Sequence, residues 1–100
     1  MIKLIALYRQ PADIESFTRH YLNVHLPLVR KTPGLTRVEV SRVKRTVLGE
    51  GSYVLMTEMY YPDAETFRAA MKSTENAAAV DDLRSFAADL VTLLQAETLD

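Results

Sequence analysis

A chain of 100 residues, 48% hydrophobic and 25% charged, has apolar material for one core and too little length for two. Lys and Arg total 12 against 13 Asp and Glu, and a net charge of −1 gives no electrostatic drive toward nucleic acid or an anionic membrane. No cysteine means no disulfide, thiolate metal site or cysteine nucleophile, and three glycines leave no Gly-rich phosphate loop.

Residues 2–8 (IKLIALY) are a short apolar run closed by Pro11, which predicts a strand buried on both faces. The N-terminal stretch lacks a small-residue cleavage site, and no apolar run approaches the ~20 residues that cross a bilayer. A cytoplasmic location away from membranes is the expectation. Asp13 is a helix N-cap with Glu15 in the first turn, and Ile14, Phe17, Tyr21, Val24 and Leu28 recur at helical spacing. Pro27 is expected to kink this helix or restart its last turn, and Pro33-Gly34 to end it. Residues 35–47 alternate charged and β-branched side chains as a strand, with a phase shift between Val40 and Val43 that calls for a bulge or bend. Gly49-Glu50-Gly51 makes a hairpin loop, and 52–61 is the returning strand. Pro62-Asp63 opens a second helix carrying Phe67, Ala70 and Met71. Ser73 or Thr74 caps a further helix with Ala79, Val80, Leu83 and Phe86 on its apolar side. Residues 89–97 read as a last strand, with a continuing helix through 90–95 as the alternative.

The order strand, helix, strand, strand, helix, strand predicts an α+β, ferredoxin-like βαββαβ fold over residues 1–100, with a four-stranded antiparallel sheet covered by helices on one face. A weak internal echo supports it: Tyr8, Pro11, Asp13, Glu15 and Phe17 are matched by Tyr60, Pro62, Asp63, Glu65 and Phe67. The strand hydrophobes Ile2, Leu4, Ile5, Leu7, Val38, Val40, Val54, Leu55, Met56, Val91 and Leu93 cannot all point at the helices, because side chains alternate across the pleat. Each large one left in water forgoes about 1.5–3 kcal/mol of burial. A homodimer packed sheet to sheet is therefore expected.

The densest polar chemistry is His20-Tyr21-Leu22-Asn23-Val24-His25-Leu26-Pro27-Leu28. At about 100° per residue, Ile14, Tyr21 and His25 share a sector of about 40°, flanked by Phe17 and Leu28. His25 thus faces the sheet and His20 turns toward solvent. Their five-residue spacing puts them on different faces, where they share no metal. For His25 three readings stay open: a core imidazole bonded to Tyr8 or Tyr60, a general acid/base with Tyr21 one turn away, or an axial haem ligand. Tyr60 and Tyr61, being neighbours in a strand, point to opposite faces. Arg42, Lys44 and Arg45 read as a solvated strand end, and Asp81, Asp82 and Glu97 as solvated charges.

Tyr8, Pro11, Asp13, Phe17, His20-Tyr21, His25, Pro27-Leu28, Pro33-Gly34-Leu35 and Val38-Glu39-Val40, at these spacings, resemble the EthD family of the dimeric α/β-barrel superfamily. The resemblance covers most of the chain, and its specific part is the first half. It implies a ferredoxin-like protomer, a homodimer whose sheets form a barrel, and a small-molecule ligand in a cleft between sheet and helices, toward which His25 points. Similar proteins include cofactor-free enzymes on polyketides or lactones and haem-degrading oxygenases. The family takes its name from ethyl tert-butyl ether degradation, which transfers a family and not a reaction. The expectation is a cofactor-free isomerase, dehydratase, decarboxylase or oxygenase for a small apolar oxygenated substrate. His25 would be the acid/base, Tyr21 and Tyr8 would assist, and Phe17, Leu28 and Tyr60 would line the pocket. The alternative is a non-catalytic ligand-binding or accessory dimer.

Overall fold

Alternation across the pleat decides which residues of each strand meet the helices. In the computed structural model, which describes residues 1–100, the strands are β1 (Ile2–Arg9), β2 (Arg37–Arg42), β3 (Tyr53–Tyr61) and β4 (Val91–Glu97). They form one antiparallel sheet in the order β2-β3-β1-β4. The helices are α1 (Ile14–His20), α2 (Leu26–Arg30), α3 (Ala64–Met71) and α4 (Thr74–Ala87), with a π turn at Tyr21–His25 joining the first two. This is the ferredoxin-like α+β architecture. Residues 91–97 are strand, which settles the alternative of a continuing helix. β2 stops at Arg42, so the phase shift near Val43 is a strand end and not a bulge inside a longer strand.

Local chemistry accounts for the helix starts. The carboxylates of Asp13 and Asp63 accept from the backbone N–H of Ser16 and Thr66, and the Ser73 hydroxyl accepts from that of Asn76. Each satisfies a donor that a helix N-terminus otherwise leaves unpaired. Gly34, in the turn that follows α2, has φ +80, a conformation that favours glycine.

On β1 the helix-facing residues Ile2, Ala6 and Tyr8 are buried, and across the ladder so are Tyr61 and Thr57, paired with Ile2 and Ala6. Leu4, Val38, Val40, Leu55 and Val91 pack against the same core. The opposite face carries Lys3, Ile5 and Leu7 from β1, Met56, Glu58 and Tyr60 from β3, and Leu94 from β4, by the same register. The hydrophobes are thus less evenly divided than the sequence suggests. Most meet the helices, and the open face keeps an apolar centre of Ile5, Leu7, Met56 and Leu94. Around it, Lys3 pairs with Glu58 at 3.0 Å, and the Lys3 and Arg37 cations sit 5.4 and 4.2 Å from the centre of the Tyr60 ring. No helix is long and apolar enough to cross a membrane.

Candidate functional site

The helical segment that carries both histidines departs from α geometry between them. The N–H of Leu26 bonds the carbonyl of Tyr21, five residues back. Pro27 supplies the physical reason: an α turn there would need its missing N–H and would drive its ring into the carbonyl of Asn23. The wider π turn absorbs the misfit, and such turns recur at functional sites. It also changes which side chains share a face. His20 and His25, assigned to different faces by an α-helical wheel, converge on Asp82 of α4. That corrects both the separation of the histidines and the reading of Asp82 as a solvated charge.

One carboxylate therefore serves two imidazoles. His20 Nε2 lies 2.9 and 3.1 Å from the two Asp82 oxygens, and His25 Nδ1 lies 3.0 Å from Oδ2. Side-chain exposure falls from 33% at His20 to 14% at Asp82 and 5% at His25. The Phe86 ring packs against both imidazoles, with centroids 4.4 Å from His20 and 5.2 Å from His25. With Asp82 accepting from Nδ1–H, His25 presents Nε2 as a lone-pair acceptor. No metal-binding group of three or more His, Cys, Asp or Glu side chains is gathered here.

His25, Tyr8 and Tyr21 meet, as the sequence suggests, around a small cavity between α4, the π turn and the sheet. Its walls are mainly apolar, with Leu4, Ala6, Val29, Met59 and Leu83 among them. Every solvent-inaccessible polar side-chain atom in the protein has a hydrogen-bond partner. His25 Nε2 and the Tyr8 hydroxyl have none, so both open onto the cavity they line. The Tyr21 hydroxyl is instead tied to that of Thr57, a buried residue the sequence did not single out. Burial pushes the hydroxyls of Tyr8 and Tyr21 above the usual phenol range and keeps them protonated. Burial also lowers the basicity of His25, against the opposing pull of Asp82.

The cavity holds only about 50 Å³, against a ~300 Å³ lower bound for ordinary ligand pockets. A groove of about 680 Å³ lies beside it, between α1 and the ends of β2 and β3, and Phe17 lines that groove. The Phe17 ring packs edge-on against Tyr8 at 5.5 Å and parallel to Tyr21 at 6.4 Å. It is thus a partition between groove and cavity. The helix-facing row of β3 runs along both, Leu55 in the groove and Thr57 and Met59 in the cavity. Leu28 packs against the core outside the cavity lining. Tyr60 lies on the other face of the sheet, where its hydroxyl is 3.4 Å from Glu39, and takes no part in this pocket. Its neighbour Tyr61 faces the helices, against Phe67.

Asp82 was legible in one respect. On an α-helical wheel it falls within about 40° of Phe86, at the edge of the apolar face. Asp81 falls on the far side.

A solved EthD family protein from Bacillus halodurans C-125 is 45% identical, superposes with a TM-score of 0.92 and covers 99% of each chain. A dimeric ferredoxin-like protein of unknown function from Thermobifida fusca is 19% identical at a TM-score of 0.70, over 97% of this chain and 90% of that one. The cofactor-independent oxygenase SnoaB from Streptomyces nogalater is 11% identical at 0.71, over 99% and 93%. These two share the fold. The EthD domain model matches residues 9–89, which contain the π turn, both histidines and Asp82. With that span and that close relative, the chain belongs to the EthD family.

Proposed function

We propose that this protein is a cofactor-independent acid/base enzyme for a small, mostly apolar molecule bearing a carbonyl or comparable oxygen. The observation that carries the reading is a buried His25 held at Nδ1 by Asp82, with its Nε2 free in an apolar cavity. Nε2 takes a proton from the carbon next to the substrate carbonyl, and Asp82 stabilises the imidazolium that forms. Tyr8, kept protonated by burial, donates a hydrogen bond to the oxygen on which negative charge develops. Tyr21, anchored on Thr57, shapes the wall. Leu55 and Phe17 mark the boundary with the groove, which takes the bulk of the substrate while its reacting end reaches into the cavity. A net isomerisation returns the proton to another carbon; a dehydration gives it from the His25 imidazolium to a departing β-hydroxyl, which leaves as water; and a decarboxylation reaches the same enolate by loss of CO2 and ends with its protonation. That SnoaB is described as a cofactor-independent oxygenase supports the fold as a setting for such chemistry.

The working unit in this proposal is a homodimer joined through the open sheet face. Its apolar centre of Ile5, Leu7, Met56 and Leu94 supports this, as does the description of a like-folded protein as dimeric.

Proton abstraction is testable before the natural substrate is known. The protein is incubated in D2O with β-diketones, aryl ketones and unsaturated lactones, and deuterium incorporation is followed by NMR. Catalysed exchange with at least one class, falling by about 10²–10⁴-fold in His25→Ala, is the expected result. Exchange that survives His25→Ala removes His25 from the chemistry. Absence of exchange across the panel, with ligands still binding, favours the non-catalytic binding dimer.

A further inference from the structure

The acid/base reading uses His25 and leaves His20 without a task, although both imidazoles hold the same carboxylate. We propose that His20 is a positioning residue for His25: it anchors Asp82 from the solvent side and, on taking up a proton, claims that carboxylate's charge. The inference rests on the proposed role of His25 and extends it.

Three observations carry it. The first is the shared acceptor. His20 approaches both oxygens of Asp82, at 2.9 and 3.1 Å, while His25 bonds Oδ2 alone. The second is the gradient of access. His25 is buried and lines the small apolar cavity, whereas the partly exposed His20 lines a separate groove of about 560 Å³ between α1 and the C-terminal end of α4. The Asp82 carboxylate lies between them, and Phe86 packs against both rings. The third is the π turn, which lets residues five apart on one helical segment reach one acceptor.

The consequence follows from the charges. With His20 neutral, Asp82 is a full anion for His25, and the imidazolium of His25 is favoured. With His20 protonated, the same carboxylate is neutralised from outside, and a second positive charge stands near the first. The base strength of the buried ring then depends on the protonation of a ring in contact with solvent. The ionisable groups around His25 are Asp82 from α4, Tyr8 from β1, and Tyr21 and His20 from its own helical run. Around His20 they are Asp82, with Asp13, Arg84 and Asp89 lining the same groove.

The experiment is a histidine ring 15N NMR titration of the intact protein without ligand, comparing wild type, His20→Gln and His20→Ala. Gln keeps an N–H donor for Asp82 but takes no proton. In His20→Gln the midpoint of His25 moves up, and its Nδ1–H tautomer is retained. In His20→Ala the anchor is gone, and His25 becomes a mixture of tautomers. His20 is partly exposed, so both variants are expected to fold, and amide spectra taken alongside verify this. A His25 midpoint unmoved in His20→Gln, or a tautomer unmoved in His20→Ala, overturns the proposal. The titration needs no substrate, so its failure is distinct from that of the deuterium-exchange test. Exchange that depends on His25 with no coupling to His20 refutes this inference alone.

Discussion

The buried hydrogen bond between Tyr21 and Thr57 gives a sharp test of how the cavity is held. Both side chains are about 1% exposed, and each hydroxyl is the other's partner. Thr57→Val keeps the shape and removes one hydroxyl, leaving that of Tyr21 buried without a partner, at a cost of about 1–3 kcal/mol. Tyr21→Phe strands the Thr57 hydroxyl in the same way. The double variant removes both polar groups together, and its loss should be close to that of the better-tolerated single change. The expected coupling is therefore about 1 kcal/mol or more. In a domain with roughly 5–15 kcal/mol of total stability that is a measurable fraction. A single substitution should lower the melting temperature by roughly 4–8 °C per kcal/mol at this size. Urea denaturation followed by circular dichroism, at one fixed protomer concentration, gives all four corners of the cycle. Additive losses in the double variant would refute the argument that the two hydroxyls satisfy each other.

Phe17→Ala removes a buried ring that touches Tyr8, Tyr21 and Phe86, and should cost about 3–5 kcal/mol in the same urea assay. It should also widen the passage from groove to cavity, so that toluene perturbs the His25 ring resonances more strongly in the variant than in wild type. Loss of less than about 1 kcal/mol would mean that Phe17 is no packed partition. Burial lowers His25 below its ordinary value of 6.5, so the unfolded chain takes up the proton first on acidification. This contribution to stability is full above 6.5, falls as the pH drops through that value, and levels off below the folded-state value. His25→Gln should flatten that part of the stability profile, and a difference curve without pH dependence there would contradict the burial argument. Ile5→Glu places a charge at the centre of the open sheet face and should convert a dimer to monomers in analytical ultracentrifugation. A wild type that is already monomeric at micromolar concentration would sink the sheet-to-sheet dimer.

Topology was legible because its signals are local and repeated. Asp13 and Asp63 each follow a proline closely and cap a helix, as N-cap chemistry predicts. The opposite facing of Tyr60 and Tyr61 follows from the period of a strand alone. Placing Tyr60 in the pocket failed for the same reason. A residue one position from the helix-facing Tyr61 belongs to the other side of the sheet, whatever its chemistry suggests. The division of hydrophobes between the two faces needed the pairing register, which depends on contacts such as Lys3 with Glu58 that lie far apart in the chain.

The site itself was legible only in part, and the reason is a single backbone irregularity. An α-helical wheel assumes a constant 100° step, and over five residues any local widening moves a side chain to another face. Pro27 marked the place where the step had to change, because it lies two residues beyond His25 and offers no N–H. Read as a kink, it concerns the path of the helix. Read as the cause of a wider turn, it concerns which side chains look the same way, and then His20 and His25 become a pair in search of a common partner. Asp82 was available at the margin of an apolar helix face, close to Phe86. A pair of imidazoles on a widened turn and a carboxylate at the edge of a buried stripe are each unremarkable alone. Together they explain why the chain tolerates an ionisable cluster that runs from the protein surface to an apolar cavity: each inner group is held by the one outside it.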